Sequence, residues 1–510
     1  MEGEEDILRH TVAPDSGQSP RSKEKGILGA ARHLARDIGP RPPGSNAERK
    51  AARFVERELR SLGYSVESHA FRTPSTTSWS AVLSHAVLLA GVVLFPLQKT
   101  LSYLLVTLGF LFFLLEGFGR SPFAWLSAPR QSENVVARTG PAGGADLSVV
   151  LVAHLDSPPS LLKSHRRGAL LSRLAYLSDF VFQAALFILY TLAYGGWLLK
   201  MEASRLEFLW RTGLVMSLPP LLALVFLLLK ASAGRHTPGA NHNASGVAVL
   251  LELARFYSHH PLRSAELWFV FTGASEAGAR GLRAFLRRYR RRRRDDYFIV
   301  IDGVGRGFPT FYHREGRLLG FRANRRLSRL AAEVSRSYPN LSSGFTRNRW
   351  YISEGFHLLS RGWRAITISA TEGKGNPRFF RQLKDDHLNL DPRSLRLSMD
   401  YLRALIDRLD HGGLVGWGRS ASRRRGVSGT AKSAERVPPK TGKAASRATP
   451  APSHTEAPNA SLTGGGKTSG GGTPRSMPAP GDVVGGRGIM AGSSSGREEQ
   501  GAGPAPPPEP

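Results

Sequence analysis

The chain has 510 residues and carries 70 Lys+Arg against 40 Asp+Glu, a formal charge of +30. It contains no cysteine, which excludes disulfide scaffolds, Cys-ligated zinc fingers, iron–sulfur clusters and thiol nucleophiles. Any metal must be held by His, Asp and Glu.

Residues 1–24 are polar, open acidic (Glu2, Glu4, Glu5, Asp6) and lack the apolar core of a secretory signal, so they read as disordered. Residues 25–78 begin a soluble domain. There Ser45-x-x-Glu48 reads as a capping box, Ala51, Phe54, Val55, Leu59 and Leu62 follow at helical spacing, and Gly63 ends the helix. Apolar runs at Trp79–Leu97 and Leu101–Gly117 predict a transmembrane hairpin over 79–118. Residues 119–167 resume the domain, with strands predicted at Val135–Val136 and Ser148–Val152. Runs at Leu174–Leu199 and Leu214–Leu229 predict a second hairpin over 168–235. Each run is near the roughly 20 residues a helix needs to cross the hydrocarbon, giving four predicted spans. Glu116, Asp179 and Gln183 are polar within them and read as helix-end or helix–helix contacts.

Lys and Arg set the orientation. Arg120, Arg130, Lys163, Arg166, Arg167, Arg173, Lys230 and Arg235 flank the domain side. The far side has Lys99, Lys200, Arg205 and Arg211, diluted by Glu202 and Glu207. The basic side is expected to be cytoplasmic, which places the domain and both termini there.

Residues 236–411 complete the domain, with helices predicted at Val247–Tyr257 and Gly281–Tyr289 and strands at Leu267–Phe271 and Phe298–Ile301. Alternation of this kind predicts an α/β fold, a three-layer αβα sandwich with a largely parallel central sheet, interrupted by the two transmembrane hairpins. Trp268, Phe271 and Phe298 read as strand core. Residues 412–510 form a basic tail rich in Gly, Pro and Ser, too poor in apolar residues to bury a core. The tail and the run Arg287–Arg294 suit an anionic lipid leaflet better than nucleic acid, because the domain is tethered to a membrane.

Sites in such folds lie beyond the carboxyl ends of the strands. Four candidate pieces fall there: His154-Leu155-Asp156-Ser157, Asn241-His242-Asn243-Ala244-Ser245-Gly246, Ser275-Glu276-Ala277-Gly278 and Asp302-Gly303-Val304-Gly305. A His with an Asp two residues on suits a metal ligand and the group that orients it.

In this order the pieces resemble the M28 family of zinc aminopeptidases. Ile38-Gly39-Pro40-Arg41-Pro42-Pro43-Gly44-Ser45 and Leu62-Gly63-Tyr64 are similar to its amino-terminal signature. Ser353-Glu354-Gly355-Phe356 with Gly362-Trp363-Arg364-Ala365, and Asp386-His387-Leu388-Asn389-Leu390-Asp391-Pro392, are similar to its last segments. The resemblance covers about residues 25–410 apart from the hairpins. It implies the αβα fold and a two-zinc aminopeptidase site.

The site departs from that pattern. The family's bridging aspartate is matched by His242, and a neutral imidazole, with one lone pair, cannot bridge two ions as a carboxylate does. The family's general-base glutamate is matched by Ser275, and its last ligand His by Gln382, or by Arg381 if the gap moves by one. His387 is a candidate surrogate. His154, His242 and Asp302 remain as a set for a single zinc or other divalent ion, with Glu276 close by and Asp156 orienting His154. The reading that follows is a domain holding at most one ion, or none, with lost or much reduced peptidase activity, which binds a peptide or protein partner or scaffolds the membrane part. The alternatives are an active aminopeptidase with a rebuilt site, and a regulatory domain of a transport component.

Overall fold

The computed structural model describes residues 20–425 except 142–143, 146, 161–165, 234, 292–295, 342–343 and 374–376. The acidic start and most of the tail therefore lie outside the described residues. Two compact units divide at Lys432, and the second lies wholly outside the described part.

The strands are β1 (Val66–Pro74), β2 (Pro129–Thr139), β3 (Leu147–His154), β4 (Ala265–Thr272), β5 (Asp296–Ile301), β6 (Phe308–Glu315), β7 (Phe321–Arg322), β8 (Gly344–Asn348) and β9 (Arg364–Thr371). They form one sheet in the order β1-β2-β4-β3-β5-β9-β6-β7, with β8 also on β6. The central strands β4-β3-β5-β9 are parallel. The pairings β1–β2, β2–β4, β6–β9 and β6–β7 are antiparallel. The sheet is thus mixed rather than largely parallel. Its antiparallel flanks come from polar segments such as Val66–Pro74, which carry no continuous apolar run.

The helices of the domain are α1 (Pro20–Arg32) and α2 (Asn46–Ser61), then α8 (Ser245–His259), α9 (Arg280–Arg288), α10 (Arg325–Ser337), α11 (Glu354–Leu359) and α12 (Pro392–Arg425). Between them come α3 (Ser78–Leu94), α4 (Lys99–Gly117), α5 (Arg166–Leu198), α6 (Ala203–Met216) and α7 (Leu218–Ala233). Side chains alternate across the strands. Val149, Leu151, Phe269 and Ile299 pack with α1, α2, α8, α10 and α12 on one face. Val150, Val152, Trp268 and Phe298 pack with α9 and α11 on the other. Helix α12 runs on to Arg425, past the boundary expected at 411.

Ser45 caps α2 by accepting from Glu48 N–H at 3.1 Å. Glu48 does not complete a capping box. It is buried and accepts from Gly44 N–H (2.7 Å), Ala274 N–H (2.7 Å) and Ser132 Oγ (2.8 Å), tying α2 to the loop after β4.

Among the described residues, three helices are long and apolar enough to cross a membrane: Lys99–Gly117, Arg173–Leu198 and Ala203–Leu229, the last bent at Ser217 between α6 and α7. Helix α3 has 17 residues, about one turn under a full crossing. It packs closely on α4, where Gly109 leaves no room for a Cβ against Leu88 (2.6 Å) and Ser102 Oγ donates to Gly91 O at 2.7 Å. Asp179 and Gln183 do make helix–helix contacts: both reach His85 on α3, at 3.0 and 3.1 Å.

Strand register fixes where these helices attach. Pro74 pairs with Pro129 at the edge where β4 ends, since Val135 already faces Phe271. Helices α3 and α4 are inserted there, between β1 and β2. Helices α5 to α7 follow β3 after His154, which pairs with Thr272. Both insertions leave from the carboxyl edge of the parallel strands, the edge that also carries the candidate site.

Candidate metal centre

His154 ends β3, and its Nδ1 lies 2.9 Å from Asp156 O and 3.3 Å from Asp156 Oδ1. With Nδ1–H donating there, Nε2 is left bare and lies 3.9 Å from Asp302 Oδ1. Asp156 also accepts from Ser275 N–H (3.0 Å) and Glu276 N–H (2.8 Å), which fixes the loop after β4 over the ligands.

His242 sits in the loop 240–244, and its peptide bond to Asn243 is cis. Asn243 holds this loop on the end of β5: Nδ2 donates to Ile301 O at 2.9 Å and Oδ1 accepts from Gly303 N–H at 3.1 Å. A Cβ on Gly246 would lie 2.2 Å from Asn243 Oδ1, so the loop requires glycine there. Asp385 clamps the other side, accepting from Asn241 N–H (2.7 Å) and His242 N–H (3.1 Å). Burial, partly offset by these two amides, raises Asp385 to about 6.

His242 Nδ1 lies 2.7 Å from Asp302 Oδ1. The two atoms do not meet in hydrogen-bond geometry, and each is buried without a hydrogen-bond partner. Asp302 Oδ2 accepts from Tyr351 Oη at 2.9 Å. His154, His242 and Asp302 can thus offer ligand atoms within 4.8 Å of one another. Two orphaned buried atoms facing each other, on ligands each steadied by an outer hydrogen bond, fit a divalent cation of the zinc type.

The other end of His242 is different. Its Nε2 lies 3.3 Å from Glu276 Oε1, and Arg381 Nη2 donates to Glu276 Oε2 at 2.5 Å. Although burial alone would raise the Glu276 pKa, Arg381 and then His242 hold it well below the usual range. Glu276 therefore orients His242 and pairs with a guanidinium, where the resemblance expected a ligand beside the ion. The Glu276 carboxylate is thus already paired, with a cationic side chain beside it. Phe379 and Arg381 have φ of 59° and 53°. Such left-handed residues cost about 1–2 kcal/mol each, and the Arg381–Glu276 pair helps hold them there.

Gln382 has no side-chain contact with the cluster among the described residues. Its N–H donates to Phe379 O at 3.0 Å, and its neighbour Arg381 reaches the site instead. His387 lies in the short turn His387–Asn389 and is not among the converging ligands. The Ser275 hydroxyl forms no hydrogen bond to a base among the described residues. Sequence reasoning missed Tyr351 and Asp385, and left Arg41 as part of a signature. Arg41 is buried and donates to five carbonyls, Leu34, Gly39, Leu155, Pro238 and Gly239, which joins the amino-terminal signature to the strand end and the His242 loop.

Residues 228–406 match the model of Peptidase family M28, and the domain is M28 peptidase-like. Among solved structures, the chain is similar to an aminopeptidase from Aneurinibacillus sp. strain AM-1, at 15% identity over 76% of this chain and 93% of that one, with a TM-score of 0.43. It is also similar to BSAP, a zinc aminopeptidase from Bacillus subtilis (13% identity, 75% and 94% covered, TM-score 0.43). A glutaminyl cyclase from Bacteroides thetaiotaomicron stands at 12% identity, 75% and 97% covered, with a TM-score of 0.44. No curated protein matches the chain.

Proposed function

We propose that the protein is a membrane-anchored M28-like domain that holds one divalent ion and binds a peptide or protein partner with little or no hydrolysis. The Arg381–Glu276 ion pair carries this reading, because it occupies the half of the cleft that a second ion would need. A bound ion would supply Lewis acidity to a ligand carbonyl or lower the pKa of a water. His154 and His242 would hold it in tautomers set by Asp156 and Glu276, and Tyr351 would keep Asp302 turned inward. Ser275 stands where a proton acceptor is needed, and a hydroxyl does not take that proton near neutral pH. Aromatic rings of Tyr351 and Phe380 enclose His242 at centroid distances of 5.4 and 5.1 Å, leaving an apolar wall for a side chain.

The test is metal analysis of the purified chain paired with an aminopeptidase assay. One ion per chain and no turnover support the reading. Turnover at ordinary enzyme rates that His154→Ala stops would show an active single-metal aminopeptidase, the alternative favoured by the intact His154–His242–Asp302 set.

The anchoring part of the proposal takes α3 with α4 and α5 with α6–α7 as two hairpins, four crossings in all, with the domain and both termini cytoplasmic. Three helices have the needed length, and α3 joins them because it packs along α4 and Tyr190 Oη of α5 donates to Val92 O at 2.9 Å. Anionic lipid, expected at the run Arg287–Arg294 and the tail and narrowed below to the start of that run, belongs to the same reading. A reporter active only outside the cytoplasm should be silent when fused after Gly418 and active at Glu202; the reverse pattern overturns the orientation.

A further inference from the structure

Arginines from three segments converge where α4 meets the domain. Helix α9 carries Arg280, Arg283 and Arg287 at i, i+3 and i+7, on one face. Its opposite face buries Gly281, Leu282, Ala284 and Phe285 against the sheet. Arg283 Nη2 donates to Gly119 O at 2.9 Å, two residues beyond the end of α4, and Arg120 follows directly. Arg361, just after α11, donates to His357 O at 2.8 Å. The His357 ring packs on Gly119 so closely that a Cβ there would lie 2.3 Å from it, at a φ of +64° that already favours glycine. Arg120, Arg280, Arg283, Arg287 and Arg361 thus surround one short strap.

Burial lowers the Arg283 pKa, and the charges of Arg361, Arg280, Arg120 and Arg287 lower it further, to about 10. Among the described residues none of Arg120, Arg280, Arg283 and Arg287 pairs with a carboxylate. The Nε atoms of Arg280 and Arg283 are buried without a partner. Crowded like charges with unfilled donors call for an anion. The strap begins at Gly117, the last residue of a helix long enough to cross a bilayer, so the cluster stands at headgroup depth if α4 crosses.

The later part of the basic run is placed otherwise. Arg291 pairs with Asp296, donates to Ser148 Oγ at 2.5 Å and stacks over Trp268. Ser148 and Asp296 pair near the amino ends of β3 and β5, the edge opposite the apolar helices. The lipid contact therefore falls to the start of α9 and the strap.

We propose that Arg120, Arg280, Arg283, Arg287 and Arg361 form a site for the phosphate of an anionic lipid headgroup at the foot of α4. The proposal rests on the reading of α4 as a membrane span. To test it, the full chain in zwitterionic detergent is titrated with dioctanoyl phosphatidic acid, dioctanoyl phosphatidylcholine or inorganic phosphate, and binding is read by native mass spectrometry and thermal shift. Phosphatidic acid should bind and raise Tm, and phosphatidylcholine should do neither. Arg280→Gln/Arg283→Gln should weaken binding at least tenfold. Arg120→Glu/Arg287→Glu, at exposed positions outside the Gly119 bond, should do the same if the first pair folds poorly. Arg288→Gln/Arg290→Gln should bind as the parent does. Equal binding of phosphatidylcholine, equal binding by both site variants, or saturation by inorganic phosphate at the same concentration would overturn the lipid site. Release of the chain from membranes by alkaline wash without detergent would instead overturn the membrane reading.

Discussion

The two ends of the His242 ring face opposite kinds of surroundings. At Nδ1 stand Asp302 and, across it, His154, with two buried atoms lacking any hydrogen-bond partner. At Nε2 stands Glu276, already paired with Arg381. One half gathers three possible ligand atoms, and the other contains its positive charge as a side chain. A neutral imidazole has one N–H and one lone pair, so in the proposed one-ion site His242 would divide the work, with Nε2–H toward Glu276 and Nδ1 toward the ion. On the proposed one-ion reading, an imidazole in place of a bridging carboxylate would go together with a guanidinium in place of an ion.

Breaking the donor half should give the largest effect. His154→Ala or His242→Ala removes one of three protein ligands, and metal content after dialysis should fall from one ion per chain to none. Retention of the ion by both variants would mean that it binds elsewhere. Rebuilding the other half should convert it: His242→Asp, Ser275→Glu and Arg381→His together should raise the content to two ions. The histidine belongs at Arg381, since that side chain touches Glu276 and Gln382 does not.

Removing the internal cation tests the second half alone. Arg381→Met leaves Glu276 buried with an unpaired charge, a change that typically costs about 3–5 kcal/mol. Adding Glu276→Gln should recover most of the loss in thermal or denaturant unfolding. If Arg381→Met alone is neutral, the ion pair is not what closes the second place.

The legible part of this site was the part held by short sequence blocks at strand ends. His154, His242, Glu276 and Asp302 each sit within a few residues of a strand or helix whose apolar pattern marks it. Arg381, Tyr351 and Asp385 lie in loops without a period, and reach the cluster only because distant elements bring those loops together. Of the parallel core, β3, β4 and β5 were legible for the same reason, through apolar runs such as Leu147–His154. The strands β1, β6, β7, β8 and β9 were not: β1 is half-exposed, β7 and β8 are short, and β6 and β9 interleave buried polar residues such as Thr310, Thr367 and Ser369. Three helices of span length were visible as hydropathy, while the pairing of His85 with Asp179 needed two helices placed side by side.

Tyr351→Phe should weaken the donor half without dismantling it. The ligands remain, but Asp302 Oδ2 loses the hydroxyl at 2.9 Å. Loss of such an outer partner typically lowers metal affinity about 10–100-fold. A chelator competition should show a change in that range with folding intact; an unchanged affinity would mean that the aromatic wall alone positions Asp302.

The smallest effect lies behind the donor half, at Glu315. This carboxylate is buried and accepts from Ser353 Oγ, from Thr367 Oγ1 at 2.6 Å and from Asn348 Nδ2 at 3.3 Å, on the segment that leads to Tyr351. Burial outweighs these bonds and raises it from 4.5 to about 7. The folded state therefore holds this proton more tightly than the unfolded chain does. Its stabilising contribution is complete below pH 4.5 and is lost as pH rises through about 7, the reverse of a salt-bridged carboxylate. The full shift corresponds to roughly 3 kcal/mol. Glu354 and Glu48, raised by burial to about 7 and about 8, lose stability in overlapping windows. The chain should accordingly unfold more easily at pH 8 than at pH 5.5, and Glu315→Gln, which carries no proton to lose, should flatten that slope by about a third. A slope that is unchanged in Glu315→Gln, or that runs the other way in the parent, would show that this carboxylate is solvated or ion-paired in the folded protein, and that the donor half is less dry than its geometry indicates.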